Sequence, residues 1–294
     1  MKSLFKLFFL FLLICVALYI FSGISSAAIC NEGRSLNFLL VGFDSSPANT
    51  DVLSVVSYDN NANTVRVVQI PRDTCIDYGG KKGKINGYYS YSVMNGQTHK
   101  EALSSLSDKI STALGIRLDG YVSLTQQGLA DVVDFMGGVS VNVTDVGDAL
   151  GSEFEKKNGK IFLDGKAALD FVRYRKKYLR GDLERLDAQK IFLKALFNKL
   201  RDGREIFSLL KFISDSDEFL LEFDKGRSLS FAIENFYKIP SADFQMATLP
   251  GKAQKYGQVW YYIVNRAAAE AQVDGYFPYK TEKFDIQNVF VYDM

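Results

Sequence analysis

One histidine, His99, and three cysteines, Cys15, Cys30 and Cys75, are all that a 294-residue chain offers of the side chains that usually carry nucleophilic, acid–base or zinc chemistry. A Ser-His-Asp arrangement therefore has no second candidate base, and no paired Cys or His residues stand at zinc-ligand spacing. Glycine-rich phosphate loops of the Walker or dinucleotide type are missing as well. Neither sign of charge is in excess: 35 basic and 34 acidic residues give a formal net charge of +1. That balance argues against a non-specific nucleic-acid binder, whose footprint is a strong basic surplus. Any anion site must be local, and carboxylates and arginines are what remain to build it.

What the chain has in quantity is apolar residues, 47% of the total, enough for the core of one large domain or two small ones, of which one domain is expected. Lys2 and Lys6 precede an uncharged run at residues 7–24, LFFLFLLICVALYIFSGI. It comes close to the roughly 20 apolar residues of a membrane-spanning helix. The lysines should stay in the cytoplasm and the rest of the chain should lie outside. The expected order is a cytoplasmic tail at 1–6, a transmembrane signal-anchor at 7–24, a linker at 25–35, an exported domain at 36–272 and a tail at 273–294. A cleaved leader is the alternative, since Ser25-Ser26-Ala27-Ala28 offers small residues for cleavage. Either way Cys30 and Cys75 meet an oxidising compartment, paired or free.

Residues 36–44, LNFLLVGFD, read as a buried strand with Asp44 at its tip. Residues 52–58 and 65–70, rich in Val and Ile, flank the turn-forming stretch 59–63 and predict an antiparallel hairpin. Folding that hairpin near Asn61 brings Asp51 opposite Arg72, so that Asp44, Asp51 and Arg72 converge at one end of a sheet. Apolar residues at 103, 106, 110, 113 and 114 predict a helix ended by Gly115. Thr125 should cap a second helix, stopped by Gly137-Gly138 before a strand at 139–143. Asp164 and Asp182 should cap two more. Amphipathic helical stretches are expected around 204–236, then a strand ending at Leu249-Pro250 and an aromatic run at 259–264. The alternation predicts an α/β fold, a layered α-β-α domain with a central mixed sheet flanked by helices.

On the helix beginning near Asp182, the residues Leu186, Leu193, Leu196, Phe197 and Leu200 define a buried stripe, with Arg185 and Gln189 on its edge. An arginine there needs a partner or lines a cleft; a snorkelling side chain or an ion pair with Asp182 or Glu184 is the plainer alternative. Arg173, Arg175, Lys176, Lys177 and Arg180 form a basic patch, which by composition alone suits a solvated face or a helix end as well as a binding site.

The segments NFLLVGFD, NTDVLSVVSYD, VQIPRDT, KINGYYSY, FMGGVSVNV, LDGKAALDFVRYR and GDLERLDAQ, in this order, resemble the LytR-CpsA-Psr family of bacterial cell-envelope phosphotransferases. The likeness runs from about Leu36 to about Asn265. It implies a single-span enzyme of the bacterial plasma membrane with its catalytic domain outside. Such an enzyme moves an anionic glycopolymer, teichoic-acid-like or capsular, from a polyprenyl (undecaprenyl) pyrophosphate carrier to peptidoglycan. Carried over, the family's metal-binding carboxylates fall on Asp44 and Asp51, for Mg2+ or Mn2+. Its pyrophosphate-binding arginines fall on Arg72, Arg173, Arg175 and Arg185, with Gln189 beside them. Asp73, next to Arg72, is expected to orient that arginine by ion pairing. The polyprenyl tail would need an apolar channel, for which the helices predicted between 100 and 136 and after 183 are the candidate lining. Two departures stand out: Asn49 and Ala188 occupy positions where the family usually has arginine. They keep two rivals open, a lipid pyrophosphatase and a non-catalytic lipid-binding or regulatory protein.

Overall fold

The computed structural model describes residues 35–43, 49–59, 61–145, 154–174, 182–203, 209, 212–213, 215–223, 239–277 and 289–291. The expected span at 7–24, Cys30, Asp44 and Arg175 lie outside the described residues. Among the described residues no helix is long and apolar enough to cross a membrane.

Strands β1 (Leu36–Phe43), β2 (Thr50–Asp59) and β3 (Thr64–Ile70) pair antiparallel in chain order. The predicted turn is closed by the Asp59 carboxylate, which accepts from the N–H groups of Asn61 at 2.9 Å and Ala62 at 3.1 Å. Asn63 takes φ 51°, a left-handed conformation that asparagine tolerates. Every residue of β2 is buried, as expected of a central strand covered on both faces.

The ribbon β4 (Cys75–Asp77) and β5 (Lys82–Lys84) leads into α1 (Tyr88–Met94) and α2 (His99–Leu114). In α2, Leu103, Leu106, Ile110, Ala113 and Leu114 are all buried, as their spacing predicts. Thr98 and Glu101 form a reciprocal capping box, and Gly115 closes the helix at φ 60°. β6 (Gly120–Leu124) then runs parallel to β1. The Thr125 hydroxyl accepts from the Gly128 N–H at the start of α3 (Gln126–Phe135). β7 (Val139–Asn142), β8 (Lys156–Lys157) and β9 (Lys160–Leu163) build a separate three-stranded sheet. α4 (Gly165–Arg173) is capped by Asp164, and α5 (Asp182–Gly203) is the long helix expected from Asp182.

One stretch differs from its sequence pattern. Within the span expected to be helical around 204–236, Phe219–Phe223 forms β10, an edge strand antiparallel to β6. Its short apolar run, FLLEF, suits either period, and pairing with an open sheet edge decides it. The last described elements are β11 (Phe244–Thr248), parallel to β3, the hairpin β12 (Gly251–Tyr256) and β13 (Val259–Val264), and α6 (Arg266–Tyr276). Helix α6 runs past residue 272, and Val273, Phe277, Val289 and Phe290 are buried in the core, so packing extends into the segment set apart as a tail.

The central sheet has the order β10-β6-β1-β2-β3-β11 and is mixed. Alternation along each strand divides the core in two. Phe38, Leu40, Val56 and Val67 face α3, α4 and α5, whereas Leu39, Val41, Val55 and Val68 face α2 and α6. The layered α-β-α arrangement follows. It also corrects the expected tail channel: α2 lies on the opposite face of the sheet from α3 and α5, so helices 100–136 cannot line one passage together.

Among the described residues Cys75 has no disulfide partner; it is 0% exposed, and burial pushes its thiol pKa up, the direction of an inert structural cysteine. The Thr98 box makes a direct prediction. Thr98→Ala should lower stability by about 1 kcal/mol, read as a lower urea midpoint with an unchanged slope; an unchanged midpoint would show that the cap contributes nothing.

Candidate functional site

At one end of the sheet the register of β1 and β2 shifts. Gly42 pairs with Val52 and Phe43 pairs with Thr50, which leaves Asp51 as the extra residue of a bulge. A bulge re-aims a side chain and ends regular pairing. Across the hairpin Leu53 pairs with Ile70, so continuing the register sets Asp51 against Arg72. The two form an ion pair at 3.1 Å, with the Asp51 side chain 3% and the Arg72 side chain 20% exposed. The convergence predicted from the hairpin is therefore present for this pair.

Arg72 is held from behind. Its Nε lies 4.0 Å from the Asp73 carboxylate, which in turn accepts from Lys84 Nζ at 2.8 Å. The backbone is clamped as well: Asn86 N–H donates to the Arg72 carbonyl at 3.1 Å, and Tyr262 N–H donates to the Asp73 carbonyl at 2.8 Å. Two segments distant in sequence, PRDT and KIN, are thus one structural unit. Fixing a flexible cationic side chain in this way reduces the entropy lost when it engages a ligand.

Helix α5 brings the second arginine. Leu186, Leu193, Leu196, Phe197 and Leu200 are buried, as the predicted stripe requires, and the last four anchor the helix against the sheet. Arg185 and Gln189 are each 1% exposed, further inside than the edge of a stripe implies. Gln189 Oε1 accepts from Gln69 Nε2 at 3.2 Å, and Gln69 Oε1 accepts from Thr248 Oγ1 at 3.1 Å. This chain of amides ties α5 to β3 and β11. Gln69 is a site residue that the sequence reading passed over; its signal was a polar residue in the otherwise apolar run VVQI. Lys84 was likewise passed over.

Asp51, Gln69, Arg72, Arg185, Leu186 and Gln189 border one small cleft. Among the described residues the lining holds two guanidinium groups and one carboxylate in poorly hydrated surroundings, where electrostatic interactions are strong. Arg173 stands elsewhere: it ends α4, half-buried, and does not border this cleft. Asp44 and Arg175 lie outside the described residues. Ala188, at a position expected to carry arginine, is 3% exposed and packs in the apolar core under α5. Asn49, the other departure, is half-buried beside β2.

No group of three or more His, Cys, Asp or Glu residues able to hold a metal occurs among the described residues. Asp51 does offer a carboxylate to the cleft. One or two carboxylates completed by phosphate oxygens and water is how magnesium is commonly held, and the described lining, with its one carboxylate, fits that mode of binding.

The structure is an α-β-α sandwich with a clamped arginine, a buried arginine and a bulged carboxylate at one sheet end. The chain belongs to the LytR_cpsA_psr family, whose model matches residues 23–275. TagU of Bacillus subtilis strain 168, a polyisoprenyl-teichoic acid–peptidoglycan teichoic acid transferase, is 30% identical over 248 residues, covering 81% of this chain and 76% of that protein. The protein of the same name from Oceanobacillus iheyensis is 28% identical over 241 residues, covering 80% and 72%. The crystal structure of B. subtilis TagU matches the fold with a TM-score of 0.58 at 25% identity, over 82% of this chain and 95% of that one.

The site predicts anion-linked stabilisation. With inorganic pyrophosphate at 100 times its Kd, the protein should gain about 2.7 kcal/mol, seen as a raised melting temperature. Arg72→Ala should remove most of that gain. An equal gain in wild type and variant would place anion binding elsewhere.

Proposed function

We propose that this protein is a transferase that moves an anionic glycopolymer from a polyprenyl pyrophosphate carrier to peptidoglycan or another wall acceptor. The observation that carries this reading is the cleft in which Arg72 and Arg185 flank Asp51, in a chain of a family whose relatives are named for that transfer. A pyrophosphate concentrates negative charge that planar guanidinium forks bind in a bidentate way.

In the proposed reaction the acceptor sugar hydroxyl attacks the sugar-bearing phosphorus. A new P–O bond forms to the acceptor, the bond from that phosphorus to the bridging oxygen breaks, and the electron pair leaves with polyprenyl phosphate. The hydroxyl proton passes to Asp44 or Asp51. Arg72 and Arg185 oppose the charge that grows on the phosphoryl oxygens, the main task in phosphoryl transfer. By the family likeness Arg173, which ends α4 outside this cleft, and Arg175 beyond it also contact the pyrophosphate, and Gln189 fixes the helix edge beside Arg185. Asp73 acts through Arg72 as a positioning residue. Mg2+ (or Mn2+), held by Asp51 and Asp44, supplies charge neutralisation on the pyrophosphate oxygens when bound. The domain works outside the plasma membrane, held by the 7–24 segment with its N-terminus in the cytoplasm.

The test is transfer of a labelled, lipid-linked polymer to peptidoglycan by the purified full chain. Arg72→Ala should reduce the rate by about 10² to 10³-fold, the usual effect of removing one donor to a developing oxyanion, with an unchanged circular dichroism spectrum. Chelation should stop transfer, and added magnesium should restore it. Release of phosphate without a glycan acceptor would favour a lipid pyrophosphatase; tight binding without turnover would favour a non-catalytic lipid-binding role.

A further inference from the structure

The β12–β13 hairpin stands out from the three layers. Its base is fixed, since Ile263 and Val264 are 2% exposed and Tyr262 N–H donates to the Asp73 carbonyl at 2.8 Å. Its outer part is not covered: residues 251–260 are exposed apart from Gln254, which is half-buried. Gly257 at φ 59° allows the two-residue turn at the tip. An isolated two-stranded hairpin is marginally stable in water, and this one carries its largest apolar groups at the far end. Trp260 is 56%, Tyr256 53% and Val259 42% exposed.

The register shows how these groups are arranged. Tyr256 pairs with Val259 and Lys252 with Ile263, which sets them on one face; Lys255 pairs with Trp260 on the other. Each face of the ribbon thus carries at least one large apolar side chain and one lysine. Lys82 adds a third cation, its Nζ 5.1 Å from the centre of the Tyr256 ring. No acidic residue occurs between Phe244 and Asn265. A ligand lying along one face would cover Tyr256 and Val259 or Trp260, not both. A medium that surrounds the tip covers all of them.

We propose that this hairpin tip enters the headgroup region of an anionic lipid bilayer. Tyr256, Val259 and Trp260 take the interfacial layer that tryptophan and tyrosine favour, and Lys82, Lys252 and Lys255 meet lipid phosphates, an attraction that weakens with salt. Through Tyr262 and Asp73 the same hairpin is joined to the Arg72 segment, so the contact would fix the height of the cleft above the bilayer. The inference does not depend on the transfer reaction.

Trp260 is the chain's one tryptophan, which makes the test direct. The full chain is reconstituted in vesicles of phosphatidylcholine and phosphatidylglycerol, with and without brominated acyl chains. The expected result is Trp260 emission at shorter wavelength, quenched by brominated lipid and shielded from aqueous iodide. In the paired variant Lys252→Glu/Lys255→Glu, and separately in Tyr256→Ser/Val259→Ser, both effects should be lost while the circular dichroism spectrum is kept. Emission typical of water, quenched by iodide and indifferent to brominated lipid, would overturn the proposal. So would a shift produced by soluble peptidoglycan fragments but not by lipid, which would make the hairpin a glycan contact.

Discussion

Burying Arg185 at the end of the central sheet is the constraint on which the rest of the site depends. A guanidinium cannot give up its charge, and removing one from water costs several kcal/mol unless polar groups answer it. At 1% exposure Arg185 is the largest fully buried side chain described. The fold meets this cost with a rigid frame: α5 is pinned by a row of leucines and phenylalanines, and the strands opposite are buried on both faces. Asp51, Gln69 and Gln189 bring polar groups to the same cleft. Loosening that frame would let the helix turn the arginine outward and dissolve the site.

The same frame explains why motifs far apart in the chain belong together. The β1–β2 bulge turns Asp51 towards Arg72, and the β2–β3 hairpin sets the distance between them. PRDT is then fastened by the KIN segment through Lys84 and Asn86, and by β13 through Tyr262. The amide chain Thr248–Gln69–Gln189 couples the last sheet strand to α5. Six separate stretches of sequence, from β1 to β13, are therefore needed to position two arginines and one carboxylate.

Much of this was legible before any coordinates. The hairpin at 52–70, the α2 periodicity, the caps at Thr125 and Asp164, and the inward lean of Arg185 and Gln189 follow from local rules of spacing and hydrogen bonding. What was not legible rests on long-range pairing. β10 carries an apolar run too short to show its period, and the open edge of β6 decided its conformation. The strand at 139–142 was visible, but its membership of a separate small sheet was not. Asp51 could be set opposite Arg72 from the hairpin alone, whereas its role as the bulged residue needed the β1 register. Gln69 and Lys84 escaped notice because each acquires its meaning from a partner more than ten positions away.

The central claim is that the cleft between β2, β3 and α5 holds the pyrophosphate of a lipid carrier. The most direct measurement is a crystal structure of the protein with magnesium and a short-chain prenyl pyrophosphate. The account predicts diphosphate density between Asp51, Arg72 and Arg185, with the prenyl chain leaving on the side of the sheet that α3 and α5 cover. Diphosphate bound away from these three side chains, with the Asp51–Arg72 pair undisturbed, would contradict it.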